Sequence, residues 1–246
     1  MKKKKMFISF MALVVLFAFA QMAMAYTVAT VNGYGQYQTG SGGEFSLKPD
    51  LSLQWVLGSY AGVAKDQSGG LDPNYFPNFQ TFCLETNEYI WPNTTYSATL
   101  SNAAILGGNG GPSDPVSIGT ADLYYRFATN TWAGSGTGYN YAAGRAGSAD
   151  ALQKTIWWLE EEGGDPGAGN PYRNYILSAL GYGSLEDAQV ANSKFPVMAV
   201  NVWEQGYPGQ VIYRQDMLTV VPIPAAAWLL GTGLIGLVVI RRRMNM

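Results

Sequence analysis

The chain carries an apolar segment beside a basic cluster at each end, and these segments confine a globular fold to the residues between them. Residues 1–25 begin with Lys2–Lys5, continue with an apolar run and end in Ala23-Met24-Ala25. A basic start, an apolar centre and a small-x-small end are what signal peptidase recognises. The sequence therefore predicts a signal peptide over residues 1–25 and a mature chain that begins near Tyr26. The alternative is an uncleaved membrane helix.

The second apolar segment, residues 225–240, carries no charge and is followed directly by Arg241, Arg242 and Arg243. Sixteen residues at 1.5 Å per residue give a helix of roughly 24 Å, which with its flanks is long enough to cross a bilayer. The arginines predict a cytoplasmic C-terminus. We therefore expect a transmembrane helix over about residues 224–240, with residues 26–220 on the outer side of the membrane.

A proline motif, Val221-Pro222-Ile223-Pro224, precedes this segment. The order of proline motif, apolar helix and arginine cluster resembles the PEP-CTERM sorting signals, and more closely their VPxPA variants, over the last 26 residues. Ile223 stands where a Pro-Glu-Pro motif has Glu. The resemblance implies that an exosortase-like membrane peptidase cuts near the prolines and passes the body to the cell surface or extracellular matrix. A permanent anchor predicts the same topology without cleavage.

Charge and residue usage exclude several functions for the body. Without the four lysines of the first segment and the three arginines of the last, the formal net charge falls from −2 to −9, which argues against nucleic acid as a partner. The chain has no histidine, so Ser–His–Asp and Cys–His hydrolase chemistry is excluded. One cysteine makes a zinc site improbable. We predict no metal, no cofactor and no conventional enzymatic activity.

The order of local patterns predicts an α+β, β-rich fold, with strands at both ends of the body and a small helical lobe over about residues 118–192. Strand patterns occupy residues 26–38, 79–90, 96–100, 197–203 and 211–220, and residues 96–100 are expected to pair with 79–90. Leu51, Leu53, Trp55 and Leu57 recur at period two and predict another strand. In the lobe, Thr120 is expected to cap one helix, and Ser148 or Asp150 a second that ends near Glu162.

The single cysteine, Cys83, leaves three interpretations open. It is an inert buried residue, a partner in an interchain disulfide, or a residue bonded covalently within its own chain. The third has support in two motifs: Phe82-Cys83-Leu84-Glu85, and Gln153 with Ile156 and Trp157 further on. These resemble the Cys and Gln motifs of bacterial thioester (TQXA-type) adhesin domains, although Leu152 and Thr155 depart from the second motif.

The resemblance implies a bond between the sulfur of Cys83 and the side-chain carbonyl of Gln153. It also implies that an amine on a target surface attacks this bond and stays amide-linked to Gln153, in a single turnover. Glu85 and Trp157 are the candidate supporting residues. We expect Gln153 in the first turn of its helix, half-buried beside an apolar stripe, where the N-terminal dipole would favour an oxyanion.

Two other functions have weaker support. Four tyrosines in Gly-rich loops are candidates for binding the apolar faces of an exopolysaccharide; they are Tyr34, Tyr37, Tyr139 and Tyr141. A glycosidase would need paired carboxylates, but the obvious cluster, Glu160-Glu161-Glu162, is expected to be a solvated helix end. The sequence thus predicts an exported envelope protein, with a covalent or a non-covalent mode of attachment.

Overall fold

The computed structural model of the protein describes residues 25–30, 37–39, 42–60, 77–106, 113–132 and 137–222. They form a mixed α/β structure whose strands are antiparallel throughout. The strands are β1 Tyr26–Thr30, β2 Tyr37–Thr39, β3 Gly42–Pro49, β4 Phe79–Thr81, β5 Thr95–Ser101, β6 Ala103–Ala104, β7 Asp114–Pro115, β8 Val197–Gln205, β9 Val211–Tyr213 and β10 Met217–Val220. The α-helices are α1 Leu51–Leu57, α2 Ile118–Thr129, α3 Arg145–Leu159, α4 Pro171–Asn174 and α5 Leu185–Ala188.

The main sheet has the strand order β10-β8-β5-β1-β3-β2, with β4 also paired to β3 and β9 to β8. Just after β4, Cys83 forms an isolated antiparallel bridge with Met217 of β10. This bridge joins the two edges of the sheet, so the strand order returns on itself at Cys83. The prediction that residues 96–100 pair with the cysteine segment was wrong, because β5 lies between β1 and β8.

Residues Leu51–Leu57 form helix α1 and not the predicted strand. Asp50 caps this helix by accepting a hydrogen bond from the Leu53 N–H. Only Leu53 and Leu57 are buried, four residues apart on one helical face, while Leu51 and Trp55 are exposed. The period-two pattern therefore combined two core residues with two surface residues.

Helices α2 and α3 form the centre of the helical part. Ser117 caps α2, not the predicted Thr120, since its side chain accepts the Thr120 N–H. Helix α3 begins at Arg145, before the predicted caps Ser148 and Asp150. Leu152, Ile156 and Leu159 are buried on one face of α3, as the apolar stripe predicted.

Two apolar clusters meet at the cysteine segment. Phe82 and Leu84 belong to the cluster between the sheet and the helices. Cys83, pointing to the other side, belongs to the cluster inside the curved sheet, together with Val28 and Met217. This alternation places the cysteine segment between the two cores.

The predicted end segments lie largely outside the described residues, including 1–24, Ile223, Pro224 and Arg241–Arg243. In the part of the chain that the structure covers, none of the helices has the length and hydropathy needed to cross a membrane. Val221 and Pro222 are described, and the Val221 N–H donates to the Pro196 carbonyl at 2.8 Å.

Candidate functional site

The structure brings the side chain of Gln153 against the backbone of Cys83, 70 residues away in sequence. The Cys83 N–H donates to Gln153 Oε1 at 3.0 Å, and Gln153 Nε2 donates to the Cys83 carbonyl at 2.8 Å. Both ends of the amide are therefore held by one residue. Because the amide C=O bond is about 1.2 Å long, the amide carbon lies within about 4.2 Å of the Cys83 nitrogen.

A second backbone N–H points at the same oxygen. Gly43, at the start of β3, donates to Gln153 Oε1 at 3.3 Å. Two backbone donors on one carbonyl oxygen are the arrangement that stabilises the oxyanion formed when a nucleophile adds to the carbonyl carbon. In serine proteases, too, the nucleophilic residue donates one of these N–H groups itself. The structure thus places the Gln153 carbonyl beside the Cys83 backbone, with two donors on its oxygen.

Gly42 leaves the space that Gln153 and Trp157 occupy. A Cβ at this position would lie 2.3 Å from Trp157 Cη2 and 2.8 Å from Gln153 Cγ, closer than real Cβ atoms approach. The next residue, Gly43, has φ of 132°, which side-chain-bearing residues rarely adopt. This glycine pair was not predicted; its only signal in the sequence is two adjacent glycines at the start of a strand.

The Cys83 side chain is buried, with 1 % of its surface exposed. Burial raises the pKa of its thiol well above the ordinary value. A free thiol here stays protonated and inaccessible, so an interchain disulfide would require the fold to open. A neutral acyl-sulfur bond suits this apolar environment, as does an inert thiol.

Gln153 differs from the prediction in two respects. It lies near the middle of α3, not in the first turn, so the helix N-terminus cannot supply the oxyanion stabilisation. The backbone donors of Cys83 and Gly43 take that place. It is also fully buried, at 1 % exposure, where half-burial was expected.

Trp157 and Glu85 contact each other beside the Cys83–Gln153 pair. The indole N–H of Trp157 donates to the Glu85 carbonyl at 3.2 Å, and Gln215 Nε2 donates to the same oxygen at 2.7 Å. These bonds fix the backbone two residues after Cys83. The Trp157 ring lies over Gly42 and so covers one side of Gln153.

A buried ion pair fixes the strand that carries Gly43. Arg145, at the start of α3, donates to Glu44 through Nη2 at 2.5 Å and Nε at 3.0 Å. The Tyr139 hydroxyl donates to Glu44 Oε2 at 2.6 Å. Arg145 and Glu44 are both fully buried, so the pair joins the helix of Gln153 to the strand of Gly43 out of contact with water.

A second group of buried side chains, all of them acidic, lies next to the bridge between Cys83 and Met217. One carboxylate oxygen from each of Glu85, Glu88 and Asp216 lies within 4.8 Å of the others. Burial, followed by the neighbouring Glu85, raises the pKa of Glu88 to about 9. Burial, and to a smaller degree Glu85, raises the pKa of Asp216 to about 7. The Glu85 side chain thus belongs to an acidic cluster, which the sequence analysis did not predict.

Two of the four tyrosines considered for sugar binding are buried. Tyr139 and Tyr141 are buried at 6 % and 5 % exposure, which makes them core residues and not the predicted sugar platform. Tyr34 lies outside the described residues, and Tyr37 lies in β2.

The three consecutive glutamates are not a solvated helix end. Glu160 is buried, and its Oε1 accepts hydrogen bonds from the Ser117 hydroxyl and N–H. Glu162 Oε2 accepts the N–H and hydroxyl of Thr86. Only Glu161 is exposed. The first and third glutamates therefore connect α3 to two other segments.

Comparison of the chain with protein-family models, with characterised proteins and with solved structures found no match.

Proposed function

We propose that this protein is exported to the cell envelope and attaches covalently to amine-bearing targets through a thioester between Cys83 and Gln153. The observation that carries the proposal is the double hydrogen bond between the Gln153 amide and the Cys83 backbone, with Gly43 as a second donor to the carbonyl oxygen. These bonds satisfy the buried amide, and they also place two donors on the carbonyl oxygen that would carry the negative charge during acyl transfer.

The bond forms in one exchange. The Cys83 sulfur adds to the Gln153 amide carbon, and the carbonyl oxygen becomes an oxyanion held by the N–H groups of Cys83 and Gly43. The carbon–nitrogen bond then breaks, the nitrogen takes the thiol proton, and ammonia leaves. The fixed donors and the enforced proximity supply what a poorly electrophilic amide requires.

Burial then preserves the bond. Cys83 and Gln153 are each 1 % exposed, so bulk water does not reach the acyl carbon. A target amine attacks that carbon, the carbon–sulfur bond breaks, and the sulfur regains a proton. Because the site is closed, capture requires the contact between Trp157 and Gly42 to open, and small amines should react before large ones.

Intact-mass spectrometry of the full-length chain tests the thioester. The wild-type chain should be lighter than its sequence by one ammonia, while Cys83→Ala and the matched control Gln153→Ala should have their full masses. After denaturation, an alkylating reagent should modify Cys83 in Gln153→Ala but not in the intact wild type. Incubation with methylamine should add the mass of one methylamine and free the thiol. A wild-type chain of full mass with an alkylatable thiol would refute the proposal.

We further propose that signal peptidase removes residues 1–25 and that an exosortase-like peptidase acts at Val221-Pro222-Ile223-Pro224. What supports this is the order of proline motif, apolar segment and arginine cluster at the end of the sequence. Fractionation with and without the peptidase tests it. A full-length chain that stays in the inner membrane in both cases would contradict processing.

One observation favours a second, non-covalent function. Tyr89 and Trp91, in the segment that follows Cys83, are 58 % and 60 % exposed, and such rings bind the apolar faces of sugars. Binding to matrix polysaccharide that survives Cys83→Ala and is lost in Tyr89→Ala or Trp91→Ala would support this function in place of covalent attachment.

A further inference from the structure

The three carboxylates beside Cys83 come from two segments that the fold brings together. Glu85 and Glu88 lie in the irregular segment after β4, and Asp216 directly precedes β10. Asp216 is held in place, because its Oδ2 accepts the Ile105 N–H at 2.6 Å and its Oδ1 accepts the Val202 N–H at 3.3 Å. The cluster therefore has one fixed member and two members on the cysteine segment.

Glu88 supplies a second observation. Glu88 is buried, at 8 % exposure of the residue, and its carboxyl group contacts Glu85 and the backbone N–H of Asp216, but its Oε2 atom has no N–H or hydroxyl donor among the described residues. A buried carboxylate oxygen without a donor costs free energy unless a cation or a proton compensates it. Glu88 also places an oxygen within 4.8 Å of both other carboxylates, so it faces the centre of the cluster.

The spacing fits one hard divalent cation. Calcium binds carboxylate oxygens at about 2.3–2.6 Å, so two oxygens on the same ion lie no more than about 5 Å apart. The three oxygens of the cluster satisfy that limit. Calcium also accepts six to eight oxygen ligands in irregular geometry, with water among them, which suits a site built from one irregular segment and one strand end.

We propose that Glu85, Glu88 and Asp216 bind a divalent cation of the calcium type, which joins the segment after Cys83 to the start of β10. The ion attracts all three carboxylates and so draws the two segments together. It also holds the Cys83 segment at the bridge to Met217 that closes the sheet. The site does not depend on the thioester, since no ligand belongs to Cys83 or Gln153.

Calorimetric titration and thermal unfolding of the full-length chain, in detergent and freed of metal by a chelator, test the site. Calcium chloride should bind in a one-to-one ratio, with a Kd of about 10⁻⁴–10⁻³ M or tighter. At about 10 mM it should raise the Tm by several degrees. Glu88→Gln should weaken binding more than tenfold and abolish the Tm shift.

Matched variants distinguish binding at this cluster from a general effect of calcium on the chain. Glu186→Gln, which removes an exposed carboxylate in α5, and Cys83→Ala should both keep the calcium shift. Glu88→Asp, which keeps the carboxyl group but shortens the side chain, should also weaken calcium binding and reduce the Tm shift. A wild type whose Tm does not respond to calcium would overturn the proposal and leave a proton shared by the carboxylates. A shift that persists in both Glu88 variants would overturn it as well.

Discussion

Two buried charged groups flank the Cys83–Gln153 pair, and they are built on opposite principles. On one side, Glu44 receives two hydrogen bonds from Arg145 and one from Tyr139, so its charge is balanced and its acceptors are used. In the other group, Glu85, Glu88 and Asp216 bring three carboxyl groups within 4.8 Å of one another, and burial raises the pKa of Glu88 to about 9. The comparison shows that burial alone does not decide what a charged group does. The balanced group holds the strand of Gly43 in place, while the unbalanced group depends on what it binds.

The largest expected effect comes from breaking the balanced group. Arg145→Met should lower the free energy of unfolding by about 3–5 kcal/mol, because it leaves Glu44 buried with an uncompensated charge. Urea unfolding measures this loss. The double variant Arg145→Met with Glu44→Gln should recover much of it, since no buried charge then remains. A loss below about 1 kcal/mol in the single variant would show that the pair is not buried in solution.

Glu160 sharpens the comparison, because the partners of its buried carboxyl among the described residues are the hydroxyl and N–H of Ser117, with Asp114 as a weaker like-charged neighbour. Burial raises the pKa of Glu160 to about 7, although hydrogen bonds from Ser117 oppose the shift. The folded state therefore holds this proton more tightly than the unfolded state. Protonated Glu160 therefore stabilises the folded state by about 3 kcal/mol below about pH 4.5. This stabilisation is lost as the pH rises through about 7.

The variant Glu160→Gln keeps an acceptor for Ser117 but cannot ionise, so it isolates this contribution from the other acids. Its stability relative to the wild type should increase between pH 5 and pH 8, as measured by urea unfolding at both values. A constant difference across this range would contradict the raised pKa.

Gly42→Ala tests whether the space that Gly42 leaves for Trp157 and Gln153 must stay free. The added methyl group would lie within 2.8 Å of Trp157 and Gln153, so we expect a loss of about 1–3 kcal/mol of stability. The chain should also regain the mass of one ammonia, because Gln153 is displaced from Cys83. Gly164→Ala is the matched control, since a Cβ there meets no atom within 4 Å. Equal effects of the two substitutions would argue against a specific role for Gly42.

The smallest effect is expected at an exposed ion pair on the same helix as Arg145. Lys154 Nζ lies 2.8 Å from Asp150, and the lysine side chain is 56 % exposed. Lys154→Met should change the free energy of unfolding by at most about 0.5 kcal/mol, with the difference falling further in high salt. A change as large as that of Arg145→Met would mean that burial does not separate the two pairs.

The sequence predicted the local patterns better than the long-range contacts. The apolar stripe of α3 and the strand composition of β8 and β10 follow from neighbouring residues, and the structure contains them. Residues 51–57 were mistaken for a strand because Leu51 and Trp55, although apolar, lie on the surface. Their helix depends on the cap at Asp50, a signal that the period-two pattern concealed.

At the Cys83–Gln153 site, too, the sequence did not predict the long-range contacts. The motifs predicted Cys83 and Gln153, but not the donor Gly43, which is 110 residues from Gln153. Nor did they predict Asp216, which joins the acidic cluster only because β10 returns to the cysteine segment. Contacts at such separations depend on strand register, which one sequence does not specify. Glu160 illustrates the same point, since Ser117, 43 residues earlier, makes it a buried residue.

Strand β10 links the reactive cysteine to the end of the described body. Its residue Leu218 donates to the Phe82 carbonyl, and the carbonyl of its neighbour Asp216 accepts the Leu84 N–H. Two residues beyond β10 lies Pro222, where the tail begins. Tension applied to a tethered C-terminus would therefore pull first on the strand that borders Cys83. If the tail is anchored and Cys83 forms the proposed thioester, force on the tail reaches that bond before it reaches the helical half of the molecule.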